Sequence, residues 1–282
     1  MSAVIDKVID PARVGLSKSL MTNPCERKGY YSETIRDESG RRLRGPMPEK
    51  VHFGAAVDSA HGYIVGQLRD GEPWGLEAAV TVGMIRAESG DWGEVEPDWE
   101  TFKIQLANAI VLFRDRPDGL ARLMPEIAGI RIQGDNGRSL ATEDVIGTPD
   151  YLLLDGSVLD VKTTGAKFYP KKFIGSAEMP IYAFLAASES GVVPPRLIYQ
   201  VYVRIQKPYW QWIEVAGTAA HVALGRLRAA RWRAGIAAGD PELFGFDPTF
   251  CGDCIFRAPI ADVGFEGCAV GLAVGDLAED ES

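Results

Sequence analysis

GTPDYLLLDGSVLDVKTTG, residues 147–165, decides the fold. Two apolar runs, Leu152–Leu154 and Val158–Val161, flank Asp155-Gly156, a dipeptide that favours a tight hairpin turn. Asp160 and Lys162 are two apart on the second strand, so their side chains share a face. The runs are apolar on both faces, which predicts a central, buried hairpin. Charges set among such residues are costly unless they are paired or bound to a metal. Loop length then decides where Asp150 points. A two-residue turn at 155–156 would pair 150 with 161 and send Asp150 away from Asp160. A three-residue loop with Gly156 as a left-handed bulge pairs 150 with 160 and lets both carboxylates meet one ion. The bulged loop is the expectation; the alternative is that Asp150 has already left regular strand geometry after Pro149.

Outward from the hairpin, residues 127–133, 197–206 and 209–215 alternate as strands do, the last two on either side of Pro208. Residues 175–188 and 218–237 read as helices. Earlier in the chain, 51–69, 75–88, 99–114 and 119–124 carry helical patterns, with Trp99, Phe102, Leu106, Ile110 and Phe113 on one stripe. The expected architecture is α/β: a mixed central sheet flanked by helices, with an N-terminal helical part and a C-terminal cysteine-bearing cap. The expected divisions are 1–50, a segment carrying Cys25; 51–125, helical; 126–240, the core; and 241–282, the cysteine cap and tail. With 282 residues, 46% of them hydrophobic and 24% charged, the chain has enough apolar material for a core without disulfides. It carries no run long and apolar enough for a transmembrane helix. Its start, MSAVIDKVIDPARVG, lacks the pattern of a signal peptide, so a cytoplasmic protein is expected.

Two carboxylates at one site suit a hard cation such as Mg²⁺ or Mn²⁺. The cation polarises a phosphoryl oxygen and supplies hydroxide near neutral pH, and a neighbouring lysine steadies the developing charge. Together these are the parts needed to hydrolyse a phosphodiester. The net charge of −9, from 39 acidic and 30 basic residues, argues against non-specific coating of DNA but permits a local basic groove. Lys167, Lys171 and Lys172 after the D-x-K strand, and Arg226 on the long C-terminal helix, are candidate phosphate contacts. Tyr30 and Tyr31 are candidate stacking faces for unpaired bases. Tyr209, Trp210 and Trp212 read more readily as core. Cys251-Gly-Asp-Cys254, Cys268 and the distant Cys25 leave no cysteine over, which favours one four-thiolate site holding zinc or an iron–sulfur cluster.

Asp150, Asp160 and Lys162 stand in the three signature places of the PD-(D/E)XK nuclease superfamily, which G-T-P-D…D-V-K resembles. Glu178 and Tyr182 sit where RecB-like members carry Q-x-x-x-Y, with glutamate in place of glutamine. FGAAVDSAH, residues 53–61, is similar to their G-x-x-x-H helix motif, with Asp58 at the histidine position and His61 one turn later. One N-terminal cysteine and a C-terminal triplet, preceded by S-K-S-L-M-T-N-P-C-E-R-K, resemble the iron-staple RecB-like exonucleases of the CRISPR-associated Cas-four type. The resemblance implies a restriction-endonuclease-like core and metal-dependent exonuclease activity on DNA single strands or ends, in recombination, repair or CRISPR-type processing. It implies Mg²⁺ or Mn²⁺ on Asp150, Asp160 and the Val161 carbonyl, with Asp58 or His61 as auxiliary ligands. It assigns Lys162, Glu178 and Tyr182 to the catalytic centre. It implies a structural [4Fe–4S] cluster on Cys25, Cys251, Cys254 and Cys268, and allows a homo-oligomer or a recombination partner protein. The substitutions at 58 and 178 motivate a second reading, a non-catalytic DNA-end-binding scaffold on the same fold.

Overall fold

In the computed structural model, the described residues are 16–22, 25–35, 47–93, 95–132, 139–142, 145–167, 169, 178–245 and 268. In chain order the elements begin with β1 (Leu16–Ser17), α1 (Lys18–Met21), α2 (Glu26–Thr34), α3 (Glu49–Arg69), α4 (Leu76–Glu88), α5 (Trp99–Asp115) and α6 (Leu120–Leu123). A 3₁₀ helix, Met124–Gly129, leads to β2 (Arg131–Ile132), β3 (Leu140–Ala141), β4 (Val145–Gly147), β5 (Tyr151–Leu152) and β6 (Val158–Thr164). Then come α7 (Glu178–Ser190), β7 (Arg196–Val203), β8 (Tyr209–Ala216), α8 (Ala219–Ala238) and a short 3₁₀ turn, Pro241–Leu243. This is the expected mixed α/β architecture. The chain divides into two compact units.

The larger unit comprises 46–142 and 147–225. It holds a five-stranded mixed sheet in the order β2-β5-β6-β7-β8, in which only β6 and β7 are parallel. Parallel neighbours need a crossover, and α7 lies in it. One face of the sheet presents Leu159, Val161, Ile198 and Tyr202 to a core shared with Phe53, Val57 and Ile64 of α3, Val80 of α4 and Leu106 and Ile110 of α5. The boundary expected at 125 thus falls inside one continuous core. The helices meet closely: a Cβ at Gly83 would stand 2.8 Å from the Ala56 carbonyl oxygen and 2.7 Å from Leu106, so only glycine fits there. Trp210 is buried and donates its indole N–H to the Ala109 carbonyl, as the core reading expects.

Of the expected strand at 127–133, Arg131–Ile132 form β2, and residue 133 lies outside the described residues. The residues before β2 form the 3₁₀ helix, with Pro125 in its first turn. Ile127 and Ile130 are both buried, and their spacing of three suits a 3₁₀ turn as well as it suits a mixed apolar run.

The smaller unit comprises 1–45, 143–146 and 226–282, so both ends of the chain belong to it. Leu16 pairs in parallel with Val145. Ser17 caps α1 by accepting the Leu20 N–H, and Cys25 occupies the N-cap position of α2. The Glu26 carboxylate, at the positive end of α2, is held by Arg228, Arg231 and the Gly245 N–H. Trp232 and Tyr30 pack on Phe244.

Candidate active site

The hairpin carries the three-residue loop. Tyr151 pairs with Leu159 and Leu152 with Val158, a register that sets Asp150 opposite Asp160. The Leu153 carbonyl accepts the Gly156 N–H at 3.0 Å, the Leu153 N–H reaches the Ser157 carbonyl at 2.9 Å, and Gly156 has φ of 85°. That left-handed backbone suits glycine. Asp155 closes the loop from inside by accepting the Ser157 N–H at 2.8 Å, and Arg196 at the head of β7 grips its other oxygen at 2.8 Å.

Asp150 stands just past Pro149, where regular pairing ends. Its carboxylate accepts the Val161 N–H at 2.6 Å. On a strand the N–H and C=O of one residue project to the same edge, so the Val161 carbonyl faces the Asp150 side. Burial, followed by the charges of Asp160 and Asp58, holds the Asp150 carboxyl well above the usual carboxylate range. Lys162 and the Val161 N–H oppose this without cancelling it. Asp150 therefore feels two other carboxyls, in a place poor in water.

Asp160 is 1% exposed, and Lys162 pairs with it directly. The lysine also reaches both Glu178 oxygens at 3.2 Å. Burial pulls the Lys162 ammonium down, but Asp160, Glu178 and Asp150 outweigh it, so its pKa ends well above the ordinary lysine value. Glu178 opens α7, and Tyr182 lies one helical turn further on, facing the same way. The Tyr182 hydroxyl donates to the Thr148 carbonyl at 2.9 Å, tying α7 to the bend that presents Asp150. Burial and then Asp160, Glu178 and Asp150 hold its phenol well above the usual tyrosine value. Sequence reading missed Tyr199, whose hydroxyl donates to Glu178 at 2.8 Å. It lies within the apolar run of β7, and only the β6–β7 register, which sets it beside Asp160, marks it out.

Asp58 lies on α3 and acts on Asp150 and Tyr151 through its charge. His61 does not join it as a ligand. Its Nε2 donates to Gln200 Oε1 at 2.9 Å, and its Nδ1 accepts the Tyr151 hydroxyl at 2.6 Å. The Gln200 amide nitrogen donates to the Asp118 and Gly119 carbonyls, which fixes its oxygen toward the histidine. Gln200 pairs with Val161 rather than Asp160, so it projects from the opposite face of the sheet. The expectation of His61 as an auxiliary ligand is corrected accordingly.

Among the described residues, no group of three or more His, Cys, Asp or Glu side chains is arranged to hold a metal ion. Mg²⁺ needs no such group, since it is usually held by one or two carboxylates and keeps several waters. The buried carboxyls at 150 and 160, with Asp58 acting on Asp150 through its charge and a main-chain carbonyl on the same edge, are oxygen donors of the kind a hard cation takes.

Lys167 and Arg226 are exposed, as phosphate contacts must be; Lys171 and Lys172 lie outside the described residues. Tyr30 and Tyr31 are 6% and 8% exposed and pack edge to face on each other, so they serve the core and offer no stacking face for bases. Cys25 and Cys268 are buried. Cys268 hydrogen-bonds Tyr31 on α2, the helix whose N-cap position Cys25 occupies. Cys251 and Cys254 lie outside the described residues. Among the described residues no helix is long and apolar enough to cross a membrane.

No protein-family model and no curated protein matches this chain. A solved structure from Eubacterium rectale, described as a "Putative exonuclease", is similar over 85% of this chain and 88% of its own, with 12% sequence identity and a TM-score of 0.45.

Proposed function

We propose that this chain is a divalent-metal-dependent deoxyribonuclease that hydrolyses phosphodiester bonds at DNA ends or on single strands. The observation that carries the reading is the bulged hairpin, which sets Asp150 opposite Asp160 while Lys162 leans on Asp160 from the same strand. Asp150, Asp160 and the Val161 carbonyl would hold Mg²⁺ or Mn²⁺, with Asp58 close by. Bound there, such an ion would polarise a phosphoryl oxygen and make a water easier to ionise. Lys162 steadies the added negative charge as the water oxygen bonds to phosphorus and the bridging P–O bond breaks. Glu178 holds Lys162 in place, and Tyr182 holds the bend that carries Asp150.

End-labelled single- and double-stranded DNA, mixed with metal-free protein and then given Mg²⁺ or Mn²⁺, tests this directly. The wild type is expected to yield shortened products only after the metal is added. Asp160→Ala is expected to bind DNA and yield none. Cleavage by Asp160→Ala with Mn²⁺ would overturn the assignment. Chelator-insensitive DNA binding with no product from the wild type would favour the scaffold reading.

We propose further that Cys25, Cys251, Cys254 and Cys268 hold a structural [4Fe–4S] cluster. What supports it is that Cys25 and Cys268, 243 residues apart in sequence, are both buried beside α2, Cys25 at its N-cap and Cys268 against Tyr31. Protein purified without oxygen should be brown, with about four iron and four sulfide per chain on this assignment. A colourless protein carrying one zinc would replace the cluster with a Cys₄ zinc site.

A further inference from the structure

Lys162 is useful to a phosphate only if its ammonium stays at one point in the site. A lysine is a poor candidate for that by itself, since its four-carbon stem is flexible and its three donors rotate. Asp160 gives it one anchor, but Asp160 is also the residue a cation would claim. The second anchor is Glu178, whose two oxygens are equidistant from the ammonium, at 3.2 Å. Glu178 is the first residue of α7 and its side chain has rotamers to choose among. Something must choose for it.

Tyr199 is placed to do so. It is 2% exposed, fixed within β7 and paired across the parallel ladder with Asp160, so its ring stands beside the D-x-K strand on the same face. Its hydroxyl donates to Glu178 Oε2 at 2.8 Å, a charge-assisted bond. The Lys162 ammonium lies 5.8 Å from the centre of the same ring. One rigid side chain thus touches the anchor through its hydroxyl and flanks the lysine with its ring face. We infer that Tyr199 is a positioning residue of the catalytic centre, acting through Glu178 to hold the Lys162 ammonium beside Asp160. This deepens the nuclease reading and rests on it.

Tyr199→Phe keeps the ring and removes only the donor. Losing a hydrogen bond to a charged, partly buried group should lower kcat by about 10- to 30-fold. KM for DNA and the Mg²⁺ dependence should change by less than about threefold, because Asp150 and Asp160 are untouched. Glu178→Ala should cost at least as much, and adding Tyr199→Phe to Glu178→Ala should cost nothing further. A merely structural tyrosine would give additive losses and parallel changes in KM, and either result would overturn the inference. A second measurement does not depend on cleavage. Metal-free wild type and Tyr199→Phe are treated with an amine-reactive reagent, and labelling at Lys162 is read by mass spectrometry against Lys167. Labelling of Lys162 should rise about threefold or more when Glu178 loses the hydrogen bond that orients it. Unchanged labelling would overturn the positioning role even in an active enzyme. A wild type that labels as expected but never cleaves DNA would sink the nuclease reading while keeping the Tyr199–Glu178–Lys162 arrangement.

Discussion

His61 donates from Nε2 to Gln200 and accepts at Nδ1 from Tyr151, and a proton added at Nδ1 would break the second bond inside the core. Burial accordingly lowers its pKa from 6.5 to about 4. The unfolded chain then binds a proton between those values that the folded chain refuses, so this histidine adds stability in full above pH 6.5 and loses it as pH falls toward 4. Between pH 7 and pH 5 the loss is about 2 kcal/mol. His61→Gln removes the titration and keeps a polar group there. Denaturant melts at both pH values should show a wild-type drop that the variant lacks. Asp150 pushes the other way, since its raised pKa favours the folded state in acid, and it does so equally in both proteins. Equal pH slopes would mean that His61 is charged in the folded state. The sequence offers His61 as an auxiliary metal ligand beside Asp58, but which way its ring faces depends on Gln200, 139 residues later.

At the scale of elements, the hairpin was readable because its constraints are local. Asp155, Gly156 and the apolar runs on each side restrict the loop to two lengths, and only the longer one faces two carboxylates toward each other. Helices α3, α4 and α5 were readable for the same reason, since an apolar stripe at helical spacing needs no partner to be recognised. What failed to show was set by neighbours distant in sequence. Residues 127–133 alternate well enough to pass for a strand, yet Pro125 and the burial of Ile127 and Ile130 favour a 3₁₀ turn. Tyr199 looked like one more apolar residue of β7, because its role comes from the β6–β7 register and from α7, which enters at Glu178. Tyr30 and Tyr31, read in sequence alone, offer two adjacent rings for bases to stack on. Phe244, more than two hundred residues away, covers Tyr30 instead.

At the scale of the molecule, the chain's two ends share one unit and the candidate active site lies in the other. The end-bearing unit relies on Phe244. Its ring is 3% exposed, 5.0 Å from the Tyr30 ring and 4.5 Å from Trp232, and its carbonyl accepts the buried Arg27 Nε–H at 3.3 Å. Phe244→Ala should cost about 3–5 kcal/mol, from lost transfer energy and the cavity left between two aromatic rings. The Arg27 bond is made to the backbone and survives the change, so the loss is one of packing. If the two units are separate cooperative bodies, that loss stays where it is made. Native-state hydrogen exchange distinguishes the cases. Amides of Glu26–Thr34 should lose protection in Phe244→Ala, while those of β6 and β7 keep theirs. A matching loss along Val158–Thr164 and Arg196–Val203 would mean that the chain unfolds as one body. In that event the contacts of Phe244 would stabilise the Asp150–Asp160 hairpin as well as the cysteine-bearing ends.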